Sequence, residues 1–341
     1  GWDMSFSLKW ILDNHVSIVN EIPLQPAQFA EGSPEEKALR QIDLYAGARL
    51  VPQSANVVYH NRKMEVKIVG VNKGVSKIYL PYEFVYEVRG ADGGLVAEKV
   101  SRKDPRSILT GEFEISDSFD LPLEKGKDYS ISLRVRNIAK VLRDFRFAAK
   151  NLNADGSLPL GKISLKKKNK KKMKKLLPLI SSLLLCACST HVETQTTFTE
   201  NPDIFPNPGQ GWERFGHNTP SKNKVNFGAG YMRYMWKQLE PEEGKYNWQP
   251  IDKAIESFAK DGLPFYFRIM CVSSSGYPEK LQWPKWVMDK GAKYHEVLLK
   301  KPANAKYPDG KVPYIVPEFA DPIFMAAHEN FIKALAACYD G

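Results

Sequence analysis

Two periodicities divide the chain. From about residue 45 to 165, apolar residues fall at every second position, as in 64–71 (MetGluValLysIleValGlyVal), 84–89, 113–116 and 129–135. That spacing sets one face of a strand on a core and the other in water. Turn-forming clusters separate the runs: AsnLysGly at 72–74, AlaAspGlyGly at 91–94, GluLysGlyLys at 124–127 and AlaAspGlySer at 154–157. Short alternating strands with frequent turns predict an antiparallel β-sandwich. Ahead of them, 6–11 is too short to classify and 15–23 reads as a strand end leading into a loop. Ser33, Pro34 and Glu36 start a helix by capping-box logic, running to about residue 43.

Beyond residue 200 the period changes. An aromatic, Met-containing run at 227–236 predicts a strand. In 249–261, Ile251, Ala254, Ile255, Phe258 and Ala259 share one helical face, with Pro250 in the first turn and Gly262 closing it. The near-continuous apolar run 263–272, interrupted by Arg268, predicts a strand buried on both faces of a parallel sheet. A long loop rich in Pro, Trp and Lys follows. Asp321-Pro322 then opens a helix with Phe324, His328, Phe331, Leu335 and Cys338 on one side. The order strand-helix-strand-loop-helix predicts a parallel α/β fold. The fold class is therefore α/β plus all-β.

Charge changes the picture at one place. The 341 residues carry 49 Lys and Arg against 39 Asp and Glu, a net +10, but 8 of the Lys lie in 166–175. Without them the balance is 41 to 39, so the basicity is local and no nucleic-acid partner is implied. The twelve mostly apolar residues 176–187 are too few to span a bilayer, which takes about 20, and suit the core of an export signal. The ending Leu185-Cys-Ala-Cys188 resembles a bacterial lipobox with Cys188 as the lipidated residue, and Met173 is a natural start. The expected location is secreted or cell envelope, held to the membrane through a lipid on Cys188, with 190–199 as a polar tether and 201–215 as an ordered loop rich in Pro and Gly. A signal at residue 173 makes the chain read as a composite, the tail of one protein (1 to about 165) joined to the head of another (173–341). Of four Cys, two lie in the signal. No Cys/His spacing supports zinc, and neither a metal nor a cofactor is expected.

The residues also carry resemblances. Trp236-Lys-Gln-Leu-Glu-Pro-Glu-Glu-Gly-Lys-Tyr-Asn-Trp248, followed by 251–255 and 261–268, resembles the first βαβ unit of clan A glycoside hydrolases such as the family 42 β-galactosidases. With GlyGlnGlyTrpGluArgPhe at 209–215 and ProLysTrpVal at 284–287, residues 200–341 are more similar to a secreted bacterial family whose N-terminal part is domain of unknown function 4874. Stretches 44–51, 71–82, 121–129 and 151–161 resemble domain of unknown function 4832, the C-terminal partner in that family, although a bulkier residue than Ala48 is expected before Arg49. The resemblance implies pieces of a (β/α)8 barrel and a sandwich in swapped order: 1–44 the end of a barrel-like domain, 45–165 the sandwich, 166–189 the Lys-rich and signal-like segment, 190–341 the first βα units.

Barrels of this kind hold ligands at the C-terminal strand ends. Arg233, Trp236, Arg268 and the loop after Cys271 fall there, and five of seven Trp lie between 212 and 286. Candidate carbohydrate contacts are Arg233, Trp236, Arg268, Trp283 and Trp286, the last two as sugar-stacking rings in a Pro-rich loop. Trp236 and Trp248 read as core packing before stacking, and Glu240 as a loop fixer before a ligand contact. His217, His295 and His328 read as structural. His15, Asn20 and Glu21 are open between pocket and scaffold roles. Glycosidases of the retaining kind need two carboxylates about 5 Å apart. The resemblance places them after the fourth and seventh strands, and Glu213, Glu240 and Glu242 come too early, so no catalytic pair is assigned. The parent is expected to act on or bind a polysaccharide or glycoconjugate; the alternative is a non-catalytic carbohydrate-binding surface lipoprotein. The chain itself is expected to be inactive.

Overall fold

The computed structural model describes residues 4–20, 30–165, 191–205, 207–216, 227–272 and 281–340. The Lys-rich run, the signal-like segment with Cys188, His217 and Glu21 lie outside the described residues, as does the side chain of Asn20. The chain forms two compact units. The first comprises residues up to 214, joined by 227–229 and 261–264; the second is built mainly from 230–260 and 265–340.

The first unit opens with α1 (Met4–Asp13), the stretch too short to classify from sequence, then β1 (Ile18–Asn20) and α2 (Pro34–Tyr45). The α2 cap is as expected. Ser33 Oγ accepts from the Glu36 N–H at 3.1 Å, while the Glu36 carboxylate accepts from Gly32 N at 3.4 Å.

Two antiparallel sheets follow. Their strands are β2 (Leu50–His60), β3 (Lys63–Asn72), β4 (Tyr82–Gly90), β5 (Leu95–Val100), β6 (Gly111–Asp120), β7 (Asp128–Asn137), β8 (Leu158–Ser164) and β9 (His191–Thr197). The orders are β6-β3-β2-β9 and β5-β4-β7-β8. Inward residues of both sheets, among them Phe84, Tyr86, Ile115, Leu133 and Leu158, close one core, as the alternation requires. The turn glycines Gly93, Gly126 and Gly156 all take positive φ.

One expectation is corrected here. Residues 191–197, read as a tether, are a sheet strand. β9 pairs with β2 over seven positions, from Ser54↔Thr197 to His60↔His191. Its composition (HisValGluThrGlnThrThr) hides this, because its inward positions are filled by Thr hydroxyls that bond to β8 carbonyls.

The expected 201–215 loop likewise ends in a strand, β10 (Gly211–Phe215), which pairs in parallel with β1. Ile11, Leu39, Ile42, Ala46 and the fully buried Trp212 form a small core beside this pair.

β11 (Phe227–Met235), which belongs to the second unit from Gly230 on, runs into a helical turn, α3 (Trp236–Leu239), then α4 (Gln249–Lys260) and β12 (Phe265–Met270). β11 and β12 are parallel, in register from Gly230↔Phe265 to Met235↔Met270. Gly230 is where α4 approaches: an added Cβ would meet the Phe258 ring. This is one βαβ unit, consistent with α/β. The expected burial of β12 on both faces is not seen; its residues are half-buried and Arg268 is exposed. Only one face of the pair lies on the core.

The long loop is more ordered than its composition suggests. It contains α5 (Lys285–Asp289) and a hairpin of β13 (Tyr294–Lys300) and β14 (Lys311–Pro317). α6 (Pro322–Tyr339) then begins on Asp321, whose carboxylate accepts from Ile323 N and Phe324 N at 2.9 and 3.1 Å. Phe324, Ala327 and Phe331 are its buried face, and Cys338 is exposed rather than facing the core.

Candidate functional site

The β11–β12 pair has two unlike sides. Met232, Tyr234, Phe265, Phe267 and Ile269 face α4 and α6 as core. The intervening residues share the other side, because parallel partners in register point the same way. They are Tyr231, Arg233 and Met235 on β11, with Tyr266, Arg268 and Met270 on β12.

Arg233 and Arg268 are direct register partners. Neighbouring strands run about 4.8 Å apart, so two cations sit side by side near the C-terminal ends of parallel strands. Arg233 is steered by aromatic neighbours. Its Nε donates to the Tyr231 hydroxyl at 3.2 Å, and its guanidinium carbon lies 5.3 Å from the Phe215 ring centre and 5.5 Å from that of Tyr231. The two rings pack at 5.8 Å. Among the described residues neither Arg makes an ion pair with a carboxylate. No Asp or Glu stands on this face of the two strands from 230 to 235 and 265 to 270.

The three tryptophans belong elsewhere. Trp236 is completely buried, packed against Phe324 at 5.6 Å, Phe331 at 5.5 Å and His328 at 5.1 Å. Trp283 is also completely buried, its Nε1 donating to the Ile315 carbonyl at 3.1 Å and its ring edge-on to Phe324. Trp286 is half-buried; its Nε1 donates to the Glu240 carbonyl at 3.3 Å and Lys290 lies over its ring. Trp236 and Trp283 therefore offer no open ring face for sugar stacking, and Trp286 only part of one.

Glu240 fixes the loop. One carboxylate oxygen accepts from Trp236 Nε1 at 2.8 Å and the other from Gly244 N at 2.9 Å, in a site only 2% exposed. Glu242 pairs with Lys245 at the surface. Trp248 stacks on Tyr246 at 5.1 Å and 6°, and the Tyr246 ring is partly open.

Titratable groups of this unit are set for scaffold roles. Burial pushes the Cys271 thiol up to about 11 and the Tyr234 hydroxyl to about 12, so both stay protonated at neutral pH. Burial lowers His328, which keeps it neutral. His295 pairs with Glu318 at 3.0 Å, and in the first unit His15 Nδ1 lies 2.6 Å from the Val75 carbonyl oxygen. Among the described residues no group of three or more His, Cys, Asp or Glu is placed to hold a metal, and no helix is long and apolar enough to cross a membrane.

Of the five sequence candidates, the structure brings Arg233 and Arg268 together, buries Trp236 and Trp283 in the core and leaves Trp286 half-buried against it. Sequence reasoning missed the aromatic neighbours Phe215, Tyr231 and Tyr266. The signal was available in the two-residue period of β11 and β12, which puts Tyr231 with Arg233 and Tyr266 with Arg268.

No curated protein matches the chain. Residues 222–341, about a third of it, match the profile of glycoside hydrolase family 42, described as beta-galactosidase. That part of the chain, which contains the β11–β12 pair and its two arginines, is distantly similar to glycoside hydrolases.

Proposed function

We propose that the second unit binds carbohydrate on the open face of the β11–β12 pair and does not hydrolyse it. The observation that carries this reading is the composition of that face: two register-paired arginines with the partly exposed Phe215 and Tyr266 rings. Guanidinium groups donate in a planar fork to hydroxyl and carboxylate oxygens, and aromatic rings cover the apolar faces of sugars. Hydrolysis with retention needs two carboxylates about 5 Å apart. Glu240, a buried acid of the unit, has both oxygens occupied by loop donors. The similarity of residues 222–341 to glycoside hydrolases supports carbohydrate as the ligand class.

We further propose the wider reading from sequence: a composite of secreted, lipid-anchored glycoside-hydrolase-like proteins, with Cys188 as the anchor. The test of the binding function is affinity electrophoresis of the full chain in gels containing defined polysaccharides. Arg233→Gln with Arg268→Gln is expected to weaken retardation roughly tenfold while the circular dichroism spectrum is kept. Equal retardation of wild type and double variant by every glycan would remove the site. Turnover of an aryl β-galactoside by the purified chain would remove the non-catalytic part. Lipid labelling at Cys188, lost in Cys188→Ser, is the check on anchoring.

A further inference from the structure

The two pieces of chain on either side of 166–190 are built into each other. Seven residues of β9 pair with β2. The ladder continues past the strand: Phe198 N donates to the Gln53 carbonyl at 2.9 Å, Lys150 N to the Thr199 carbonyl at 2.9 Å, and Asn201 N to the Ala148 carbonyl at 3.1 Å.

Three side chains then clasp backbone of the opposite piece. The buried Arg49 guanidinium donates to the Asn201 and Asp203 carbonyls and pairs with Glu200, which also holds Lys73 at 2.5 Å. Asn207, 2% exposed, accepts from Arg146 N at 2.8 Å and donates to its carbonyl at 3.1 Å. Gln210 does the same with Ala48, at 2.8 and 2.9 Å. Gly211 N donates to the Ser17 carbonyl at 2.7 Å where β10 joins β1. The Arg49, Asn207 and Gln210 contacts are part-buried, so opening them costs free energy.

The connection between the pieces has a closed base. Thr196 Oγ1 donates to the Leu160 carbonyl at 2.7 Å and Thr194 Oγ1 to the Lys162 carbonyl at 2.9 Å. The two segments therefore run antiparallel.

We propose that residues 191–211 are a docking segment for the 1–165 piece, and that the first unit needs no covalent continuity through 166–190. Scission there leaves a two-chain protein and not two fragments. The occupant of the β2 edge is the chain's own 191–211. Covalent linkage raises its local concentration to the millimolar range, and the ladder with its three clasps holds it afterwards.

The test uses the full chain with a specific protease site placed between 166 and 190. After complete cleavage, light scattering on a sizing column is expected to show one species with the mass of the uncut chain. Amide hydrogen exchange of β9 is expected to keep its protection within about tenfold. Gln210→Ala, and separately Arg49→Ala, are expected to leave the uncut chain folded and to speed release of the C-terminal piece after cleavage roughly tenfold or more. Separation of the wild-type pieces on cutting overturns the proposal, as does loss of β9 protection. Release unaffected by Gln210→Ala removes the clasp from it, and that variant covers the case in which Arg49→Ala fails to fold.

Discussion

Asp43 illustrates how one residue can set the pH response of a unit. Burial pushes its carboxyl up to about 7, and Trp212 and Arg40 only partly pull it down. Trp212 Nε1 has no well-aligned acceptor, so the indole offers Asp43 proximity more than a bond. The folded state thus holds a proton between about pH 4 and 7 that the unfolded chain, with an ordinary value near 3.9, releases. The stabilisation is complete below about pH 4 and is lost as pH rises to 7, at about 1.4 kcal/mol per pH unit at most. Denaturant midpoints of Asp43→Asn between pH 4 and 7 are expected to lack that contribution; an unchanged slope relative to wild type would count against it. In the second unit, Glu240→Ala strands the Trp236 and Gly244 donors in a buried site. A loss of about 2–3 kcal/mol is expected, read as a drop in melting temperature. Glu240→Gln keeps one acceptor and should lose less.

Elements were legible where local pattern and tertiary role agree. β3 and β6 alternate because one face is core and the other water, while the central strands β4 and β7 keep the pattern at their ends and are buried on both faces in the middle. α2, α4 and α6 were marked by Ser33, Pro250 and Asp321 at their starts. What escaped were elements whose reason lies in their partners. β9 has only Val192 among its seven residues as an apolar side chain, and it is a strand because β2 and the β8 carbonyls are waiting for it. The β13–β14 hairpin sat in a stretch whose Pro and Lys suggested loop. At the site, Arg268 stands out in an apolar run, whereas Tyr231 and Tyr266 read as ordinary strand aromatics and only the register puts them beside the arginines. Trp283 and Trp286 lie in a Pro-rich stretch that resembles an exposed loop, yet their indole N–H groups find backbone carbonyls inside the unit. Packing at the element scale also yields a test. Gly230→Ala drives a methyl into the Phe258 ring between β11 and α4, and overpacking of this kind costs about 1–3 kcal/mol. Chemical denaturation followed by Trp fluorescence reads it; a neutral result would mean α4 can move away freely.

Across the whole molecule the buried side chains fall into separate clusters, one inside the sandwich, a small one beside Trp212, and one around Trp236 and Phe331. Separate cores melt as separate cooperative units. Calorimetry is expected to show more than one transition, with Glu240→Ala lowering one and Arg49→Ala another. A single transition moved equally by both would contradict this.

The late arrival of β9 has a consequence in time. A ribosome emits His60 roughly 130 residues before its register partner His191. At 5–20 residues per second, β2 spends on the order of ten seconds complete but with one row of peptide groups facing water. An open strand edge is where neighbouring nascent chains pair wrongly. The yield of this protein should therefore be governed less by its final stability than by how quickly synthesis crosses the Lys-rich segment and delivers the strand that covers that edge.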